Sequence, residues 1–121
     1  MRTIVENGVA VAVVETDGKQ LAMTDAASAL DLAMTAKYEC GASRIVIPQS
    51  AVARDFFVLS TGLAGEILQK YVNYQFKIAI YGDFTRYTSK PLHDFMVESN
   101  RGKDVFFVST EEEAVARLAK A

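Results

Sequence analysis

Three segments decide the fold: Phe76-Lys77-Ile78-Ala79-Ile80-Tyr81-Gly82-Asp83, Ser89-Lys90-Pro91 and Val105-Phe106-Phe107-Val108-Ser109-Thr110-Glu111-Glu112-Glu113. The first and last begin with short apolar runs closed by polar turn residues, the pattern of strands buried in a covered sheet. Between them, Pro91 suits the first turn of a helix, where its missing N–H leaves no bond unmade. That helix carries Leu92, Phe95, Met96 and Ser99 inward and ends near Asn100-Arg101-Gly102. After the second run, Ser109 with Glu112 and Thr110 with Glu113 form two overlapping capping boxes that open a last helix to Ala119. A strand, a helix, a strand and a helix in succession imply right-handed crossovers and parallel pairing.

The same alternation extends toward the N-terminus. Asp55 to Tyr74 reads as one helix, with Leu63, Ile67, Leu68, Tyr71 and Tyr74 on its apolar side and Ser60 or Thr61 capping its main part. Arg44-Ile45-Val46-Ile47-Pro48 is a β-branched strand closed by a proline that cannot continue a ladder. Before it, Thr24 is the expected N-cap of a helix with Ala26, Leu30, Ala33, Met34 and Lys37 at spacings of three and four, stopping at Gly41. Asn7-Gly8 supplies the positive φ angles of a tight hairpin between two strands in residues 3–15, the second from Val9 to Glu15. Gln20 to Met23 is expected to add a brief edge strand. The order β-β-α-β-α-β-α-β-α predicts one α/β domain over residues 1–121, with an N-terminal hairpin, a mostly parallel mixed sheet of four or five strands, and four helices.

Composition narrows the function. Of 121 residues, 50% are apolar and 23% charged, ordinary for a chain that folds alone. A net charge of -2, with the 13 basic residues scattered, gives no basic patch for nucleic acid. No apolar run approaches a membrane span, and Glu6 and Asn7 interrupt the start too early for a secretory signal, so a cytoplasmic protein is expected.

Catalytic templates fail on residue counts. One histidine, His93, and one cysteine, Cys40, cannot build a zinc site, and Cys40 is expected to be a buried thiol. Gly62-Leu63-Ala64-Gly65 lacks the glycine spacing and lysine of a phosphate-cradling loop. Ser60-Thr61-Gly62 lacks the flanking glycines of a nucleophile elbow. No enzyme, cofactor or metal site is expected.

Geometry supplies the candidate sites. In a parallel sheet the helix N-termini gather at the C-terminal edge, and the hydroxyl pairs Ser60-Thr61, Thr88-Ser89 and Ser109-Thr110 would share it. Ser60, Thr61 and Gly62 form a candidate phosphorylation or anion-binding segment. The loop before the third helix offers Asp83, Arg86, Tyr87, Ser89 and Lys90 as a candidate binding loop. Phe56-Phe57, Phe76 and Phe106-Phe107 read as core, and any exposed remnant of them would suit a homodimer patch.

Two families share these motifs. Leu59-Ser60-Thr61-Gly62-Leu63-Ala64-Gly65-Glu66-Ile67-Leu68 resembles the Asp-Ser-Ser-Gly-Leu segment of the STAS domains of anti-sigma-factor antagonists, and the element order and the helix from Ser109 to Leu118 are similar too. The resemblance implies a STAS-like fold whose second segment hydroxyl, here Thr61, is phosphorylated by a partner kinase to control binding. Leu59 stands where that family has its acidic residue, and the approach from Gln49 to Val58 is longer. Asp55-Phe56-Phe57, Thr61 to Lys70, Gly82-Asp83-Phe84, Tyr87-Thr88-Ser89-Lys90 and Glu98-Ser99-Asn100 are similar to a bacterial family, domain of unknown function 4180. The combined expectation is a non-enzymatic regulatory module that binds a protein partner. The alternatives are a domain or minor enzyme binding a small anionic ligand through the Asp83 to Lys90 loop, and a structural homo-oligomer.

Overall fold

Ile45 and Ile47 pack on one side of the sheet and Val46 on the other, and the same alternation runs through Ile78, Ala79 and Ile80 and through Phe106, Phe107 and Val108. Strands that are apolar on both faces need helices on both. The computed structural model describes residues 1–121 and shows how they are supplied. The strands are β1 (Arg2–Glu6), β2 (Val9–Val13), β3 (Arg44–Pro48), β4 (Lys77–Tyr81) and β5 (Val105–Val108). The helices are α1 (Ala26–Cys40), α2 (Leu63–Asn73), α3 (Lys90–Arg101) and α4 (Glu111–Lys120). The sheet order is β1-β2-β3-β4-β5, antiparallel only between β1 and β2, so this is an α/β fold on a mixed, mostly parallel sheet that opens with a strand pair. Asn7 and Gly8 both take positive φ in the connecting turn.

Each crossover steps to the next strand in the same direction, and a constant handedness then puts the crossover helices on one face. Accordingly α1, α2 and α3 share the larger core with Ile45, Ile47, Ile78, Ile80 and Phe107. The free face is covered by α4 alone, through Ala114, Val115 and Leu118 against Val11, Val13, Val46, Ala79 and Phe106. Arg44 ties that helix down by donating from Nε to Leu118 O and from a terminal nitrogen to Ala121 O, both at 2.8 Å. On the other face, the Tyr71 hydroxyl of α2 donates to Ala29 O of α1 at 2.7 Å, and burial pushes its phenol well above the ordinary value. No helix is long and apolar enough to cross a membrane.

Several boundaries differ from the sequence reading. β2 ends at Val13 rather than Glu15, and the edge strand expected at Gln20 to Met23 shrinks to one bridge, Met23 to Val52. The N-cap of α1 is Asp25, not Thr24, because Asp25 and Ser28 satisfy each other's backbone N–H in a reciprocal box. The helix read from Asp55 begins only at Leu63, and the approach is three 3-10 turns, Gln49–Ala51, Arg54–Phe57 and Leu59–Thr61. Of the two boxes before α4, only Thr110 receives its N–H, from Glu113 at 3.2 Å. Tyr74 is exposed rather than on the packed side of α2, and Cys40 is half-buried against the larger core.

The β5 edge is closed by one side chain. Asn100, at the end of α3, accepts from Phe107 N at 2.7 Å and donates to Phe107 O at 3.0 Å, so its carboxamide imitates one residue of a further strand. An open edge is a template for unwanted pairing. Asn100→Ala is therefore expected to cost about 1–3 kcal/mol, read as a lower urea midpoint, with increased self-association by light scattering.

Candidate functional site

The C-terminal ends of β4 and β5 lie side by side, but their connections part: the chain after β4 goes to α3 on the three-helix face, and the chain after β5 goes to α4 on the other. Such a divergence opens a crevice at the sheet edge, where ligands of open α/β sheets bind. Here it is a shallow depression, widely open to solvent, of about 660 Å³ lined by Tyr81, Gly82, Asp83, Phe84, Thr85 and Ser109. A neighbouring groove of about 410 Å³ runs between Phe57, Val58, Leu59 and Ser60 on one side and Arg86, Tyr87, Thr88, Ser89, Pro91 and Leu92 on the other. A depression of about 670 Å³ over Met34 to Glu39 is formed by one turn of α1 alone, so it lacks the converging walls of a binding cleft.

The loop between β4 and α3 is held in shape by its own aromatics. Phe84 meets Phe107 edge to face at 5.8 Å between centroids, and Tyr87 stacks on Phe57 at 4.9 Å. Asp83 closes a small turn by accepting from Thr85 N at 2.9 Å and from the Thr85 hydroxyl at 2.6 Å. Those two bonds, helped by Arg86, hold the Asp83 carboxyl below its ordinary range, so it is ionised at neutral pH. The Tyr81 phenol is pushed above its usual value by burial and by Glu111 and, more weakly, Glu112, against the opposing charge of Arg2.

Each candidate residue has a distinct place. Ser60 is exposed in the groove wall. The Thr61 hydroxyl is turned to the backbone, donating toward Asp55 O and Val58 O, both at 2.8 Å, and accepting from Leu63 N at 3.3 Å. Neither Ser60 nor Thr61 is the N-cap of α2: that position is Gly62, at φ 78°. Arg86 lies over the Tyr87 ring at 5.4 Å and is in no salt bridge with a carboxylate. Ser89 caps α3, and Lys90 is engaged by Asp94 at 2.8 Å, so those two polar groups are already occupied within the helix. The fold thus brings Ser60, Arg86, Tyr87 and Ser89 onto one groove and sets Asp83 in the adjoining hollow; Thr61, Gly62 and Lys90 stand outside both linings.

One residue at this edge escaped the sequence reading. Gln49 is the only buried polar side chain, and its Nε2 has no hydrogen-bond partner. Gln49 opens the 3-10 turn Gln49–Ala51 directly after β3, so the alternation of the strand does not reach it and no local pattern in the sequence marked it. Elsewhere no three His, Cys, Asp or Glu side chains gather closely enough to hold a metal ion.

No curated protein and no solved structure matches the chain. The model of the family described as domain of unknown function (DUF4180) matches residues 6–118, nearly the full length, and the chain belongs to that family.

Proposed function

We propose that the chain is a non-enzymatic, cytoplasmic regulatory module, akin in arrangement to the STAS domains of anti-sigma-factor antagonists, that docks a protein partner along the groove at the C-terminal edge of its sheet. One observation carries the reading: Ser60 and Arg86, far apart in sequence, line the same groove beside the N-terminus of α3. Ser60 is the hydroxyl a kinase would reach, whereas Thr61 is spent on the backbone carbonyls of Asp55 and Val58. A phosphate on Ser60 would add about two negative charges to the groove that Arg86 also lines, changing what the groove accepts.

The test is affinity capture from the native lysate with wild type, Ser60→Ala and Arg86→Ala, followed by mass spectrometry of partners and bait. The expected result is phosphate on Ser60 and a partner whose retention falls about tenfold with Arg86→Ala, a change near 1.4 kcal/mol. Identical partner sets on all three baits, with no phosphate on Ser60, would overturn the reading.

A further inference from the structure

The two ends of the sheet are finished differently. At β5 the Asn100 carboxamide occupies the outer N–H and C=O of Phe107, whereas no hydrogen bond from a loop reaches the backbone of β1. β1, Arg2-Thr3-Ile4-Val5-Glu6, holds no lysine, proline or glycine, and its five pairs with β2 run without a bulge, so it lacks the common devices that blunt an edge. Val5 stands 67% exposed on it.

The ladder fixes which backbone groups face outward. Val14 N donates to Val46 O at 2.8 Å across the parallel β2/β3 pair. Successive residues of a strand turn their backbone groups to opposite sides, so the even residues of β2 bond to β3 and Val9, Val11 and Val13 bond to Glu6, Ile4 and Arg2. The N–H and C=O of Thr3 and Val5 are left pointing away from the sheet.

This edge is complementary to itself. Two copies of β1 laid antiparallel about a two-fold axis at Ile4 set Thr3 opposite Val5 of the second copy, and each such pair exchanges both backbone hydrogen bonds. Arg2 then falls opposite Glu6 of the second copy, and Ile4 opposite itself, at the positions where side chains approach most closely. An axis at Thr3 puts Arg2 opposite Ile4, and an axis at Val5 puts Glu6 there, so only the Ile4 axis matches both charges. Glu6 is in no ion pair within the chain. Arg2 meets Glu111 through one terminal nitrogen and keeps donors for a second carboxylate. Ile4 is half-buried against the core under α4, so two Ile4 side chains in contact continue that core across the axis.

We infer that two copies of this chain associate through β1, antiparallel about Ile4, into one continuous sheet. The contact is smaller than the roughly 1,200 Å² at which standard interfaces begin, so the dimer is a weak one, with a Kd of about 0.1–1 mM. It shares no residue with the groove and is independent of partner docking.

The experiment is sedimentation equilibrium of the full chain with fast amide exchange by NMR, from about 0.01 to 2 mM, a range that brackets a weak interface. The expected result is a monomer–dimer equilibrium in which exchange at Thr3 and Val5 slows at least about twofold at the highest concentration, while that at Ile4, already bonded to β2, does not change. Glu6→Arg and Arg2→Glu each set like charges opposite one another and should weaken self-association at least about fivefold. An equimolar mixture of the two variants restores both opposite-charge pairs and should restore the dimer. Val5→Pro removes an outward N–H and no β1/β2 bond, so it should abolish the dimer with the remaining spectrum unchanged. The Glu6→Arg and Val5→Pro arms stand by themselves if Arg2→Glu does not fold. A monomer at every concentration would leave the edge to some other strand and overturn the inference. So would a dimer with unchanged exchange at Thr3 and Val5, or undiminished self-association in Glu6→Arg.

Discussion

Phe107→Ala should lose about 3–5 kcal/mol, enough to bring a domain at the lower end of ordinary stability close to its unfolding midpoint at room temperature. Phe107 is buried in the middle of β5 with Phe84 and Phe95 both at 5.8 Å edge to face and Phe56 at 6.5 Å. Truncation opens a cavity between the rings of Phe56, Phe84 and Phe95, and a close-packed core closes such a gap only in part. The damage should also reach the candidate site. Phe84 anchors the loop before α3 against Phe107, so the loss of that ring should broaden the amide signals of residues 82–89 even where the fold survives. Urea denaturation reads the first effect and NMR line widths the second. A fall below about 1 kcal/mol, the scale of a well-tolerated core swap, would mean that the aromatic cluster is not the keystone of this edge.

Gly82→Ala should cost about 2–4 kcal/mol, combining backbone strain with overpacking. Gly82 sits at φ 154°, and an added Cβ would fall 2.7 Å from Gln49 Oε1 and 2.8 Å from Gln49 Cβ. The second distance makes the outcome specific. Gln49→Ala in the same chain removes the amide but keeps the Cβ, so it should return little of the stability; Gln49→Gly should return the steric part. A double-mutant cycle by thermal or urea unfolding isolates that coupling. Additive effects would show that backbone conformation alone requires the glycine.

The legibility of the sequence depended on how local each decision was. β4, β5 and the Pro91 start of α3 were read correctly because apolar runs, turn residues and a proline at the first helical turn act within a few residues. The hairpin at Asn7-Gly8 is of the same kind. Residues 55–62 were misread as the start of the helix because 3-10 turns place apolar side chains at a spacing of three, close to that of an α-helix. What separates them is competition for the backbone: Thr61 occupies the carbonyls of Asp55 and Val58 with its hydroxyl, and Gly62 turns left-handed before α2 can begin. At α1, Thr24 and Asp25 are both good caps, and only the reciprocal fit of Ser28 decides between them.

For the candidate site, the sheet edge and its hydroxyls were legible, as was the loop from Asp83 to Lys90. Their division between a groove and a hollow was not, because it depends on α4 taking the face opposite to α3. Tyr87 and Lys90 looked available in sequence, yet Tyr87 stacks on Phe57 and Lys90 pairs with Asp94. Side-chain occupancy of this kind is a tertiary property. Gln49 was the converse case, a plain glutamine until burial left its amide without a partner.

The sheet order β1-β2-β3-β4-β5 also bears on how the chain is made. Synthesis proceeds from the N-terminus at about 5–20 residues per second, slower than most local folding. Each strand here pairs with the one synthesised just before it, so a nascent chain can lengthen its sheet without threading a strand into a finished pair. Pairing with the preceding strand keeps each loop to be closed as short as one crossover. One face is an exception: Val11, Val13, Val46, Ala79 and Phe106 stay uncovered until Glu111–Lys120 has left the ribosome and Arg44 can grip the carbonyls of Leu118 and Ala121. Until then that stripe of the sheet is bare apolar surface, the kind that makes incomplete chains prone to aggregate.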